Sequence, residues 1–537
     1  MSTWQERGKS PPSSPTSSSS LKPSVYDDST LHGSLPVKTK LTMGIGESVQ
    51  ACYTVICGFF LNAYLLEVAC LSPNYVGTIQ LIQGLFDAFN DPFIGTMSDR
   101  TRTRWGRRRP WLLFAAAPLG GCYFGIWNTL EDGVSEGVKF GFYLCMYMGI
   151  SIGITCIQVQ IGALVPELTL DYDERTSLSV YRLGIGNLIA LVAVMIHSAI
   201  VTSFHDEGEI DKGYQLSGAI FGSWICIAAW TTFWNIEEKF DPDLEEKDEQ
   251  LSTLDGLKIV FQNKAFLIVV GIYLCGPTAV VLVQTNILLY CKYILGNEDL
   301  VDYIIGIVQG MALIVLPLWN FVGQKYGKKM SYYIGGSILC VSLASLYFVE
   351  EENTALIVSC FIGSCLGIPY MIPYSMLPDV IEEDELKTGK RREGVYFGFF
   401  TIFLKLSVTI ALSFTNFALS AAGYEKPTST CGVGLTEEEM EAAAALPDTQ
   451  PDGVISVMRF MVGPCPALFF ILAIFMVWLF PITRESHQEN AEVIKRERNR
   501  RSIQLESKKA AELGKMVLAK SNGVDDDVMV DIDNNQL

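Results

Sequence analysis

Charge is scarce in this chain. Only 18% of its 537 residues are Asp, Glu, Lys or Arg, whereas 49% are hydrophobic. A water-soluble globule of this size needs more polar surface than that, so that class is excluded. Paired cysteines at CxxC spacing are missing, which removes the common zinc frameworks. No stretch alternates apolar and polar residues over about ten positions, so a membrane β-barrel is not expected. A cleavable signal is not expected either, because the first apolar run starts too late and is too long. Neither a nucleophile–base set nor a metal cluster is visible, so no enzyme and no cofactor are expected.

What is present is apolar sequence in blocks. Twelve runs lie near 43–68, 75–98, 110–130, 138–166, 178–204, 214–236, 265–293, 301–323, 330–349, 354–377, 394–422 and 455–480. About 20 apolar residues cross a bilayer as a helix. The chain therefore reads as an all-α polytopic membrane protein with twelve transmembrane helices. Residues 1–42 (SPPSSPTSSSS within them) read as a disordered tail. A first six-helix bundle is expected over 43–236, a charged linker over 237–264, a second bundle over 265–481, and a tail over 482–537. The basic stretch 484–521 suits a helix on anionic lipid or, equally, a solvated tail. Run two ends GTMSDRTRTRWGRRRP and run eight ends FVGQKYGKKM, the same ordinal place in each half. Such internal symmetry marks transporters, with substrate bound near the midplane between pseudo-symmetric bundles.

Lysine and arginine are unevenly placed. Six arginines fall in 100–109, and further basic groups follow runs eight and ten, while opposite loops such as 131–137, 205–213 and 350–353 are short and mostly acidic. The positive-inside rule puts those basic loops and both termini in the cytoplasm. Fourteen cysteines lie almost entirely inside the apolar runs, where a thiol acts as a small hydrophobe. Cys431 is the exception, and Cys70 lies near the same surface, so a bridge between them is weighed against two free thiols.

Run two holds FDAFNDP. On a helix Asp87, Asn90 and Asp91 share one face. Carboxylates there are costly in a bilayer unless a cation or proton neutralises them. Hard oxygens suit Na⁺ or H⁺, with Asp87 and Asp91 as the ionic ligands; the plainer reading is a carboxylate paired with an Arg from another helix. Lys405 lies about eleven residues inside run eleven, too deep to snorkel. The aspartates are its natural partners, so it would compete with the coupling cation or form a static bridge. Arg182 in run five would meet an anionic substrate group such as phosphate, or sit at the interface. His197 reads as a packed polar residue rather than a proton relay. Gly276-Pro277 should break or kink run seven. Asp379 would pair with Arg391 or Arg392 as a gate, or be a solvated helix end.

Gly95, Asp99, Arg100 and Arg107–Arg109 fit a GxxxDRxGRR-like loop of the major facilitator superfamily, with extra residues before GRR. There Asp99, Arg100, Arg107 and Arg108 would latch the cytoplasmic side. Together FDAFNDP, DRTRTRWGRRRPW and the mid-helix Lys405 resemble the glycoside–pentoside–hexuronide:cation symporters, typified by melibiose permease. GFFLNAYLLEVA, YCKYILGN, PYSMLPDVIEEDEL, AGYEKPTSTCG and FPITRE look most like the sodium-dependent lysophosphatidylcholine symporters within that family. The resemblance covers about 43–484. It implies cation binding by Asp87, Asn90, Asp91 and a further oxygen from Thr169, with Lys405 as the coupling lysine. It implies substrate contacts from Arg182 and the position of Gln284, where the lysolipid symporters carry an acid. Gly84 stands where relatives carry an arginine. The lysolipid symporters pair the counterpart of Cys431 with a cysteine before run six; 205–213 has none, which implies a free Cys431.

The expectation is a Na⁺- or H⁺-coupled symporter of a lysophospholipid, with a sugar or glycoside as runner-up and a non-transporting scaffold or sensor behind it. It would be a monomer among plasma-membrane lipids, with a small-molecule or lipid substrate and no nucleic-acid partner.

Overall fold

A computed structural model describes residues 35–482 except 132, 170, 207–208, 239–252, 390–391, 428–430 and 432–448, together with residue 493. The tail expectations for 1–34 and most of 483–537 lie outside the described residues. The first helix, α1 (Val37–Ile56), begins six residues earlier than the apolar run. It continues through two π-helical turns, Cys57–Leu61 and Tyr64–Val68, with Asn62 and Ala63 between them. The rest of the first half is α2 (Pro73–Arg100), α3 (Arg109–Ile126), α4 (Glu136–Leu168), α5 (Tyr172–Asp206) and α6 (Ile210–Asn235). Within the expected linker lies a short helix, α7 (Thr253–Gln262).

The second half comprises α8 (Lys264–Tyr290, then a π turn Cys291–Leu295), α9 (Leu300–Tyr326), α10 (Lys328–Ser345), α11 (Glu352–Cys365) and α12 (Ile368–Thr388). It closes with α13 (Glu393–Ala421), α14 (Asp452–Val462) and α15 (Pro464–Leu479). α11 with α12, and α14 with α15, each make one broken span, giving twelve spans among the described residues. Ten of them are long and apolar enough to cross a membrane; α2 and α3 complete the set, α2 being thinned in hydropathy by Gln80, Gln83, Asp87, Asn90 and Asp91. α8 runs through Pro277 as one helix, so Gly276-Pro277 does not end it.

Within each half the helices pack as a bundle: α1 on α5, α3 on α4 and α6, α8 on α15 and α13, α9 on α11. The halves meet along α2 and α13, where the first π turn meets α8, and where α5 meets α9. α2 and α13 come together through glycine. A Cβ at Gly84 would lie 2.0 Å from Thr409 Oγ1, and one at Gly77 would lie 3.2 Å from Asn416 Cβ. No larger residue fits at Gly84 unless α13 withdraws, which is the physical reason an arginine cannot stand there in this packing.

The two basic loops echo each other in structure. Each turns on a glycine of positive φ, Gly106 (+104°) and Gly327 (+89°).

Candidate cation site and its charge network

Asp87 and Asp91 sit one turn apart on α2, and α13 lays Lys405 across them. The ammonium lies 2.9 Å from Asp87 Oδ2 and 2.7 Å from Asp91 Oδ1, and it donates to the Asp87 carbonyl at 3.2 Å. α4 supplies two hydroxyls with the same four-residue spacing. Ser151 Oγ donates to Asp87 Oδ1 at 2.6 Å and Thr155 Oγ1 to Asp91 Oδ1 at 2.9 Å. Buried Asn90 reaches the Ser151 carbonyl at 3.5 Å. Neither carboxylate is sealed: Asp87 keeps 23% and Asp91 31% of its side-chain surface. Two anions and one ammonium leave one negative charge over. The surrounding donors are hard oxygens, the chemistry that suits an alkali cation.

Thr169 is not part of this set. It caps the far end of α4, fourteen residues beyond Thr155 and so about 21 Å along the helix, where its carbonyl accepts from Arg175 at 2.8 Å. The α4 oxygens beside the aspartates are Ser151 and Thr155 instead. Two hydroxyls at i, i+4 in SIGIT (151–155) were the available signal, easily passed over because Ser and Thr are common in apolar helices.

Arg182 belongs to a separate cluster. Its Nε lies 3.2 Å from Glu47 Oε2 on α1, and Gln158 Nε2 donates to Glu47 Oε1 at 3.0 Å. Gln284 lies in the second half, pressed against Gly58, and lines an apolar cavity with Phe59, Val280, Ile287, Val308 and Leu343. His197 is fully buried among Phe60, Trp127 and Tyr214, with Nδ1 2.6 Å from Ser217 Oγ. That is the packed polar residue expected.

The loop charges tie helices inside each half. Glu167 at the end of α4 receives Arg107 at 2.8 Å and Arg108 at 2.6 Å, and Arg108 also lies 3.4 Å from Asp99. Burial opposes the charge of Arg107, yet Glu167 more than offsets it, so its pKa is raised. Arg100 is exposed. Glu238 accepts from the backbone N–H groups of Arg107 and Arg108 at 2.8 and 2.9 Å. In the second half buried Asp379 pairs with Lys328 at 2.7 Å, while Arg392 goes to Asp384 at 3.6 Å. Lys328 is thus an Asp379 partner the sequence reading did not name; Arg391 lies outside the described residues. Glu167 follows Pro166 and Asp379 follows Pro378. This Pro-acid pair at the end of spans four and ten is a repeat signal that went unread.

At the face opposite the arginine loop, Glu67 joins the halves. Lys292 lies 2.9 Å from it, and the Tyr293 and Tyr424 hydroxyls donate to it at 2.6 and 3.2 Å. Burial, then the Glu67 charge, push the Tyr424 phenol well above its ordinary pKa, so it remains a donor. Beside this hub Cys70 and Cys431 form a disulfide. Cys431 is therefore not free: its partner comes from the end of the first helix, where Cys70 adopts φ +58°.

A family model described as "MFS/sugar transport protein" matches residues 42–484. An uncharacterized symporter of Synechocystis sp. is 30% identical, covering 84% of this chain and 95% of its own. Sodium-dependent lysophosphatidylcholine symporter 1 of Gallus gallus is 25% identical, covering 89% of this chain and 93% of its own. Among solved structures, a bacterial homolog of the human lysosomal transporter Spinster, inward-facing and unoccupied, superposes with TM-score 0.58. It is 13% identical and covers 84% of this chain and 100% of that one, a likeness of fold.

Proposed function

The chain belongs to the MFS/sugar transport protein family, and on that premise we propose that it is a Na⁺-coupled lysophospholipid symporter working by alternating access. The observation that carries the reading is the charge count at Asp87, Asp91 and Lys405: one negative charge stands uncompensated inside a membrane span. An idle charge there is costly. A monovalent cation held by Asp87, Asp91, Ser151, Thr155 and Asn90 balances it and competes with the ammonium for the same oxygens. Cation binding thereby weakens the link between α2 and α13. That is how an ion bound in one half alters the contact between both halves.

Positive-inside charge puts the arginine loop and both termini in the cytoplasm, which makes the Glu67 face exofacial and closed in this conformation. The plasma membrane and a monomeric state complete the reading. A zwitterionic headgroup matches the Arg182–Glu47 pair, Arg182 for its phosphate and Glu47 for its quaternary ammonium. Its acyl chain matches the apolar cavity at Gln284, which offers little to a sugar. The name of the Gallus gallus relative supports the same substrate class. The family description keeps a sugar as the second reading.

Equilibrium binding to purified protein separates the two. Lysophosphatidylcholine should bind at least about tenfold more tightly with Na⁺ than with choline, and glycosides should not compete. Glycoside binding without lysolipid binding would overturn the substrate assignment.

A further inference from the structure

Between the cation site and the Glu67 hub lies a layer of buried amides that no charge explains. Asn416 of α13 donates to Asn62 Oδ1 at 2.7 Å and to Gln80 Oε1 at 2.8 Å, crossing from one half to the other. Gln80 of α2 donates to the same Asn62 oxygen at 3.1 Å. All three residues are at least 98% buried. Gln80 stands seven residues before Asp87, about 10 Å nearer the Glu67 face. Asn62 lies between the two π turns of the first helix, local irregularities that re-aim side chains and recur at functional sites.

We infer that Asn62, Gln80 and Asn416 form an uncharged exofacial gate whose inter-half hydrogen bonds break each time the central site opens outward. This rests on the alternating-access reading. The bonds cross the seam, so rocking the halves apart at that face separates Asn416 from both acceptors. The layer is also incompletely satisfied. Asn62 Nδ2, Asn416 Oδ1 and Ser413 Oγ are buried without partners. Buried unsatisfied groups favour a state in which water reaches them. The same residues hold the gate shut through two bonds and bias it towards opening through the orphaned atoms. A gate so balanced yields to a small change in the Asp87–Lys405–Asp91 contact three turns below on α13.

Cysteine accessibility tests it. Ser413→Cys places a thiol beside the layer, read by a membrane-impermeant maleimide added outside, with labelling of the parent chain subtracted. Asn416→Ala should speed labelling about 5–30-fold, the range for losing one or two kcal/mol. Adding Gln80→Ala to Asn416→Ala should change the rate by less than about twofold, since no inter-half bond is left for it to remove. A merely destabilising pair would multiply instead, and that result overturns the gate. Where Asn416→Ala does not reach the cell surface, Asn62→Ala serves. Glu67→Gln, which weakens the outer hub, separates the two levels of claim. Labelling that rises in Glu67→Gln but not in Asn416→Ala overturns the amide gate alone. No labelling in any variant overturns the alternating-access reading beneath it.

Discussion

Asp91 keeps company with Thr155 as well as Lys405, and Asp87 with Ser151, so each carboxylate carries a hydroxyl beside the shared ammonium. The hydroxyls orient the carboxylates and offer lone pairs to a cation. Thr155→Val keeps the shape and removes the oxygen. It should raise the Na⁺ concentration for half-maximal uptake about 10–100-fold, the usual penalty for stripping support from a metal site, with little change in maximal rate at saturating Na⁺. Unchanged Na⁺ dependence would place the ion elsewhere. Much of this site was legible: helical spacing brings Asp87, Asn90 and Asp91 to one face, and a lysine so deep in run eleven needs an anion. Ser151 and Thr155 gave only their i, i+4 spacing as a signal, a weak one because a hydroxyl in an apolar helix usually satisfies itself on its own backbone, as Thr278 does on Leu274. The family resemblance pointed to Thr169, which belongs to the end of the helix.

At the scale of elements, the approach of α2 to α13 decides whether Lys405 can reach both aspartates. Gly84 and Thr409 set that distance. Gly84→Ala forces a methyl into Thr409 and should destabilise the purified protein by about 1–3 kcal/mol, as overpacking does, read as a lower unfolding temperature in detergent. Gly84→Ala with Thr409→Ala should recover part of the loss, because Oγ1 and Cγ2 are removed while the Thr409 Cβ, 2.7 Å from the new methyl, remains. Absence of any recovery would mean Gly84 matters for another reason. The sequence showed Gly84 only as a missing arginine. Its role depends on a neighbour 325 positions away, and no local pattern encodes that. The Cys70–Cys431 bridge was visible only as one alternative to two free thiols, since pairing follows proximity in the fold and not spacing in the chain.

Over the whole molecule the charges divide by task. Glu167 with Arg107 and Arg108, and Asp379 with Lys328, stay inside their halves, one per repeat. Glu67 with Lys292, and Lys405 with the aspartates, bridge the halves. Glu167→Gln should therefore slow uptake several-fold while leaving the Na⁺ requirement unchanged, measured by uptake across a Na⁺ titration; a shifted Na⁺ requirement would link that latch to the ion site. The twelve-span architecture was visible in the apolar blocks because the bilayer fixes span length. The broken spans α11–α12 and α14–α15 were not, because their interruptions keep the surrounding sequence apolar.

The central claim is that a cation and Lys405 contend for Asp87 and Asp91. It is tested most directly by uptake of labelled lysophosphatidylcholine into proteoliposomes under an inward Na⁺ gradient, wild type beside Asp91→Asn. The account predicts gradient-driven accumulation in the wild type that vanishes when Na⁺ is equal on both sides, and none in Asp91→Asn under either condition. Accumulation in Asp91→Asn that still follows the Na⁺ gradient would contradict it.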